Sequence, residues 1–101
     1  MVGDIFMNIY IDRIRQLVLS VLADENVNVY LFGSWARGTA RHGSDVDVAV
    51  EFLGASNERK IADLREQLEE STIPYRVDIV DMSRAAESLR EEIRRDGIRW
   101  N

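Results

Sequence analysis

The chain has 101 residues, of which 46% are hydrophobic and 31% charged, and it contains a single proline. A chain of this length has room for one hydrophobic core, and its composition is typical of a globular domain rather than a disordered segment. The absence of cysteine excludes disulfides, thiol nucleophiles and Cys-ligated metal sites. The net charge of −5 argues against direct binding to nucleic-acid backbones, which requires concentrated positive charge. We expect a single domain over residues 1–101.

The sequence predicts a cytoplasmic protein without a membrane segment. No apolar stretch approaches the roughly 18 residues that span a membrane. The N-terminus carries Asp4 where a signal peptide would carry Lys or Arg. The only histidine, His42, excludes a His-rich zinc site.

The first half of the chain predicts a long helix, a strand and a short helix. Apolar residues recur at three- and four-residue steps over 5–23, which is the period of an amphipathic helix. The β-branched and aromatic segment 27–32 predicts a buried strand that stops at Gly33. We expect one or two helical turns over 34–38, with Ser34 as the N-cap, and a loop over 39–44.

The second half alternates strands and helices. Strict alternation over 45–52 predicts a strand, and a second alternating segment over 75–81 predicts another. A helix is expected between them over about 57–70, and a last helix is expected after Ser83, which can cap it, with Gly97 at its C′ position. The predicted order is α-β-α-β-α-β-α, an α/β fold in which helices flank a small mixed sheet.

Two short motifs carry the chemistry. A glycine followed by a serine, Gly33-Ser34, at the start of a helix can bind a phosphate, because glycine permits close approach and free N–H groups face the anion. Such a junction can also be an ordinary capped turn. Asp45 and Asp47 lie on one strand face, about 6.6 Å apart at Cα, so their carboxylates can bracket one or two cations. Alternatively, they belong to an exposed outer face that Glu51 continues.

A third acid strengthens the metal-binding interpretation. Asp78 lies on the strand face opposite Val77 and Ile79. If its strand adjoins the first acidic strand, three carboxylates converge opposite the Gly-Ser turn. Such a set is typical of two-metal phosphoryl or nucleotidyl transfer.

The pattern Gly33-Ser34-x-Ala36-Arg37-Gly38, five residues, then Ser44-Asp45-x-Asp47 resembles the DNA polymerase beta-like nucleotidyltransferase superfamily, and more narrowly the minimal nucleotidyltransferases (MNT). The resemblance implies that Gly33 and Ser34 hold the triphosphate. It also implies that two Mg²⁺ ions, or Mn²⁺, are bound by three catalytic carboxylates. Those carboxylates are Asp45, Asp47 and Asp78, of which Asp78 also helps to deprotonate the acceptor hydroxyl.

The same resemblance implies nucleotide-binding roles for two further motif residues, Arg37 and Ser44. Arg37 could instead tie the loop to a carboxylate. The loop residues Arg41 and His42 could reach the acceptor or the triphosphate, although a loop histidine is usually only solvated.

The predicted elements fill these 101 residues and leave no second domain to hold an acceptor, so we expect another surface to complete the site. Minimal nucleotidyltransferases resemble the antitoxin halves of HEPN/MNT pairs, which implies transfer of AMP from ATP to a tyrosine of a HEPN-domain RNase encoded next to the chain. Two alternatives remain open: a small-molecule transferase of the aminoglycoside type with a separate substrate-binding chain, and an antitoxin that acts by binding alone. The candidate residues for a partner surface are Ile5, Phe6, Ile9, Tyr10, Trp35 and Trp100.

Overall fold

Helices on both faces of one sheet form the fold. The computed structural model describes residues 2–41 and 43–101, with side chains from residue 9 onward. The elements, in chain order, are α1 (Val2–Val21), β1 (Val27–Phe32), α2 (Gly33–Arg37), β2 (Val46–Phe52), α3 (Glu58–Glu70), β3 (Val77–Asp81), a 3₁₀ turn (Met82–Arg84), α4 (Glu87–Asp96) and β4 (Ile98–Arg99).

The sheet is small and mixed, as predicted. Its strand order is β3-β2-β1-β4. β1 runs antiparallel to both β2 and β4, whereas β2 and β3 are parallel. The parallel pair requires a crossover, and α3 supplies it between the two strands. The predicted α/β class is therefore confirmed.

The two faces of the sheet bury two apolar clusters. α1 and α3 cover one face, where Val48 and Val50 of β2 are fully buried beside Ile14 and Leu64. α4 covers part of the other face, where Ile93 packs with Phe32, Ala49 and Met82. The alternation of β2 thus places valines in the main core and turns its acidic positions toward the α4 side.

The chain after β3 differs from the prediction. Ser83 does not cap the last helix. It lies in the 3₁₀ turn and donates its N–H and hydroxyl to the Asp81 carboxylate at 2.9 and 2.7 Å. α4 begins later, after Ala86, which makes no side-chain cap hydrogen bond. The buried Asp81 carboxylate, the last residue of β3, therefore stabilises the following turn by accepting hydrogen bonds from Ser83.

The end of the chain forms a fourth strand that sequence periodicity does not reveal. Gly97 has φ −68°, so it is not a left-handed C′ glycine. A Cβ at Gly97 would lie 2.3 Å from the Ile93 carbonyl oxygen, which explains the glycine by close approach instead. Beyond β4, Trp100 donates its N–H to the Val29 carbonyl at 2.8 Å and is buried in the main core.

Burial removes Trp100 from the predicted partner surface. Ile9 is 44% exposed and remains a candidate. Tyr10 is half-buried and packs edge-on against Tyr75, with ring centroids 5.6 Å apart. The side chains of Ile5 and Phe6 lie outside the described residues.

The first helix also differs slightly from its predicted bounds. α1 begins at Val2 and ends at Val21, two residues before the predicted end, because residues 22–24 form a turn. Among the helices that the structure describes, none is long and apolar enough to cross a membrane.

Candidate active site

Strand register brings the predicted acidic residues together. Asp47 pairs with Phe32 of β1 on one side and with Asp78 of β3 on the other. Neighbouring strands lie about 4.8 Å apart, and residues in register share a face, so both carboxylates project on the same side of the sheet. Asp45 immediately precedes β2. The register thus brings Asp47 and Asp78 together, whereas Asp45, which was predicted to open the strand, is exposed just before it.

The Gly-Ser turn lies directly against this acidic group. Gly33 has φ +72°, and a Cβ built on it would lie 2.3 Å from Oδ2 of Asp47. The positive φ favours glycine for conformational reasons, and the close contact with Asp47 leaves no room for a side chain. The backbone of the turn and the Asp47 carboxylate therefore line one small space.

The short helix starts one residue earlier than predicted. α2 begins at Gly33, its N-cap is Phe32 without a side-chain hydrogen bond, and Ser34 is the second helical residue rather than the cap. The helix ends at Arg37, and its C-cap Gly38 adopts the left-handed conformation. Because Ser34 does not cap the helix, its hydroxyl is not committed to the helix end.

Trp35 connects the Gly-Ser turn to both acidic strands. Its indole Nε1 donates to the Ser44 carbonyl oxygen at 3.3 Å, one residue before Asp45. Its ring meets Tyr75 edge-on, with centroids 5.6 Å apart, close to the start of β3. The half-buried Trp35 therefore has a structural role in the site.

Ser44 has a structural role in the loop. Its hydroxyl oxygen accepts the Arg41 N–H at 2.8 Å, and its own N–H donates to the Arg41 carbonyl at 2.9 Å. These bonds form a tight turn just before Asp45. His42 lies outside the described residues, so the suggestion that it reaches the acceptor stays a prediction.

Asp47 is the electrostatic centre of the site. Burial raises the pKa of its carboxyl above the ordinary value of 3.8, and the negative charges of Asp78 and Asp45 raise the pKa further. The Arg37 guanidinium lowers it, whereas Glu92 raises it. Asp47 is half-buried and Ala49 on the same face is fully buried, so Asp47 does not lie on an ordinary solvated face, whereas Asp45 is exposed.

Two ion pairs surround the carboxylates, and one of them matches the alternative prediction that Arg37 ties its segment to a carboxylate. Arg37 Nη1 lies 3.6 Å from Oε2 of Glu92 on α4, and Arg76 Nε lies 3.4 Å from Oδ1 of Asp78. Arg76 follows from its i−2 spacing to Asp78 on one strand face. Glu92 could not be found from sequence, because it depends on how α4 packs across the sheet.

A divalent cation suits the chemistry of this acidic group, although the group is not a ready-made cage. Within residues 2–41 and 43–101, no three His or acidic side chains are arranged closely enough to hold a metal as they stand. However, carboxylate oxygens are the ligands that hard divalent cations prefer. Burial and, after it, the negative charges of Asp78 and Asp45 raise the pKa of Asp47, and a bound cation would favour its ionised form.

The raised pKa gives a testable pH dependence of stability. The folded state binds the Asp47 proton more tightly than the unfolded chain, so the ionised carboxylate costs stability once the pH rises through the folded pKa. In EDTA, Asp47→Asn is therefore expected to melt at a higher temperature than wild type at pH 7, with the difference shrinking toward pH 3.5. Thermal unfolding across this range measures it. Asp12→Asn, at an exposed position on α1, is the control, and a pH-independent difference would contradict the assignment.

The comparisons with known proteins agree with this geometry. A family model described as Polymerase beta, Nucleotidyltransferase matches residues 19–99. The chain belongs to this family. The predicted resemblance and the nucleotidyltransferase class are thereby confirmed, and divalent metals are the general cofactors of the family.

More narrowly, the chain is similar to MntA proteins. It is 36% identical over 73 residues to the "Probable protein adenylyltransferase MntA" of Haemophilus influenzae, a match that covers 66% of this chain and 59% of that protein. It is 35% identical over 68 residues to the protein adenylyltransferase MntA of Thermococcus cleftensis, covering 67% and 68%. The match therefore spans less than two-thirds of the first relative's length.

Solved structures share the fold. A crystal structure of a toxin–antitoxin with AMP-PNP superposes with a TM-score of 0.69 and 27% sequence identity, covering 86% of this chain and 72% of that one. The nucleotidyltransferase fold predicted from the motif is thus confirmed.

Proposed function

We propose that this chain transfers AMP from ATP to a hydroxyl group of a partner protein and acts as the antitoxin of that partner. The observation that carries the proposal is the register of the sheet, in which Asp47 lies between Asp78 and the Gly33 turn. In this proposal residues 1–101 act as one minimal nucleotidyltransferase domain. The reaction would take place in the cytoplasm, where ATP is available.

In this proposal one group of residues binds the nucleotide and another binds the metal ions. Gly33 and Ser34 approach the triphosphate with a backbone amide and a free hydroxyl, and Arg37 at the end of α2 adds positive charge. Ser44 shapes the turn that presents Asp45. Asp45, Asp47 and Asp78 would hold two Mg²⁺ ions, or Mn²⁺. When bound, these cations neutralise the phosphate charge and polarise the reacting phosphoryl group.

The transfer step places Asp78 next to the acceptor. The acceptor oxygen attacks the α-phosphorus, the bond from that phosphorus to the bridging oxygen of the β-phosphate breaks, and pyrophosphate leaves. The hydroxyl proton passes to the Asp78 carboxylate, which the adjacent strand position brings close to Asp47. Asp78 is half-exposed, so an acceptor can approach it from outside.

The acceptor in this proposal is a tyrosine of a HEPN-domain RNase encoded next to the chain. The similarity to proteins named MntA adenylyltransferases and to a toxin–antitoxin structure that contains AMP-PNP supports a protein acceptor and an adenine nucleotide. Modification of the tyrosine would silence the RNase.

The decisive test combines the purified chain, ATP, Mg²⁺ and the HEPN-domain protein. We expect a mass increase of one or more AMP groups on the partner, located by peptide mass spectrometry on tyrosine. An unmodified partner whose toxicity is still neutralised would indicate an antitoxin that acts by binding alone. Failure to interact would point to a small-molecule acceptor.

Nucleotide binding is expected to depend on divalent metal. Burial raises the pKa of Asp47 most, the negative charges of Asp78 and Asp45 raise it further, and a triphosphate would add to that repulsion. Calorimetry should therefore detect ATP binding with Mg²⁺ or Mn²⁺ and lose it in EDTA. Equal affinity in both conditions would contradict the assignment of Asp45, Asp47 and Asp78 as metal ligands.

Asp78 and Ser34 are expected to differ in the kinetic parameter that they control. Asp78→Asn should lower kcat, because it removes the base beside the acceptor. Ser34→Ala should weaken nucleotide binding by about 1–3 kcal/mol, which is typical of a hydrogen bond to a charged group. Steady-state kinetics with varied ATP separate the two effects. A fully active Asp78→Asn variant would exclude a catalytic role for that carboxylate.

A further inference from the structure

The outer edge of β3 carries backbone groups that have no strand partner. β3 pairs with β2 on one side and is the last strand of the sheet on the other. Val46 of β2 donates its N–H to the Arg76 carbonyl at 2.9 Å, which fixes the direction of the backbone groups along β3. Since these groups alternate along a strand, every second residue from Arg76 faces β2. The residues whose groups face away are Val77, Ile79 and Asp81.

One side chain confirms this orientation. The Arg65 guanidinium on α3 donates to the Ile79 carbonyl oxygen at 2.8 Å, from the side opposite β2. A charged side chain placed over an open edge is a common protection against unwanted strand pairing. This contact satisfies one carbonyl only, and among the described residues the N–H groups of Val77 and Ile79 donate no hydrogen bond, although Ile79 itself is buried.

A groove follows the same edge and includes Asp78 in its lining. It has a volume of about 840 Å³ and lies between the end of α3 and β3. Leu68 and Ile73 supply apolar contacts, Arg65 and Arg76 supply positive charge, and Asp78 lies on the lining as well as in the site. The groove therefore shares Asp78, one of the three carboxylates, with the proposed reaction site.

We propose that the acceptor protein binds here as an extended segment that adds a strand to the outer edge of β3. This inference rests on the proposed function and specifies how the acceptor enters. Residues in register across a sheet share a face, so the added residue opposite Asp78 would project on the face that carries Asp47 and Asp78. A tyrosine at that one position would continue the row of the two carboxylates and present its hydroxyl to the site.

The geometry explains how a small domain can select one hydroxyl. Main-chain hydrogen bonds to Val77 and Ile79 would set the register of the segment, and the groove would accept its neighbouring side chains. A shift by one residue would turn the tyrosine to the opposite face of the sheet. Arg65 would have to release the Ile79 carbonyl before the segment could pair.

Residue-resolved amide hydrogen exchange tests this inference on the unmodified chain. The sample is the chain with Mg²⁺ and a non-hydrolysable ATP analogue, before and after addition of the HEPN-domain protein. We expect the amides of Val77 and Ile79 to exchange quickly in the free chain and at least tenfold more slowly in the complex. The amide of Arg99, which faces away from β1 on the opposite edge, should not change, and those of Asp78 and Val80 are protected throughout by β2.

Two proline variants provide a matched comparison. Val77→Pro removes one outward N–H from the β3 edge, and Arg99→Pro removes one from the β4 edge. At Val77 the proline removes one hydrogen bond to the added strand, and its ring keeps that strand at a distance, so we expect about tenfold weaker partner binding. Arg99→Pro lies on the other edge and should weaken binding no more than twofold. Protected amides at Asp78 and Val80 verify that the variant sheet is intact.

The outcomes separate this inference from the function on which it rests. Modification of the partner without new protection at Val77 and Ile79 would overturn the added strand and leave the proposed function standing. Absence of modification would overturn the proposed function itself. Protection that appears in the free chain with rising concentration would show that a second copy occupies the edge, which also overturns the inference.

Discussion

Replacing Asp45 and Asp47 together by asparagine is expected to abolish AMP transfer while the domain stays folded. Asparagine keeps the size of each side chain but removes the charge that would hold the metals. The loss of transition-state stabilisation predicts a fall in kcat of about three orders of magnitude or more. The fold should survive, because the structure shows no hydrogen bond to the Asp47 carboxylate among its described side chains, and removal of its charge relieves repulsion.

The control for this double variant changes the same number of charges elsewhere. Asp12 and Asp63 are exposed on α1 and α3, where each accepts a hydrogen bond from a glutamine one turn later. Asp12→Asn with Asp63→Asn should retain full transfer and metal-dependent ATP binding. Single-turnover kinetics and calorimetry measure both properties. Transfer by the Asp45/Asp47 variant at the control rate would mean that the metal ligands lie elsewhere.

The sequence predicted the central part of the fold because each element there has its own local pattern. The alternation of β2 is strict, and the buried stripe of Ile61, Leu64 and Leu68 on α3 follows helical spacing. β4 could not be predicted, since two residues are too few to show a period, and its pairing with β1 is a tertiary contact. Ser83 misled the prediction because a serine near a helix start can serve either a cap or a neighbouring carboxylate.

The candidate site shows the same division between local and long-range information. The Gly33 turn, Asp45 and Asp47 lie close together in sequence, so one motif could indicate them. The prediction that Asp78 lies near these residues needed only one assumption, that its strand adjoins β2, and the register confirms that assumption. Glu92, the partner of Arg37, is 55 residues away from it in the chain and reaches the site through the packing of α4.

Gly33→Ala is expected to damage both the site and the fold, and Gly38→Ala only the fold. Both glycines have positive φ, +72° and +75°, so an alanine at either position is strained by about 1–2 kcal/mol. Only at Gly33 would the new Cβ meet another residue, at 2.3 Å from Oδ2 of Asp47, whereas no atom lies within 4 Å of a Cβ at Gly38. Both variants should therefore unfold at lower denaturant concentration than wild type.

The difference between the two variants should appear in binding. At Gly33 the added methyl group forces the Asp47 carboxylate away from the space that it shares with the turn, so metal and nucleotide affinity should fall together with transfer. Gly38→Ala should bind Mn²⁺ and ATP as wild type does under conditions in which it is fully folded. Mn²⁺ titration followed by electron paramagnetic resonance measures the first effect, and calorimetry the second. Equal binding by both variants would show that contact between the Gly33 turn and Asp47 does not shape the site, because backbone strain is common to the two positions.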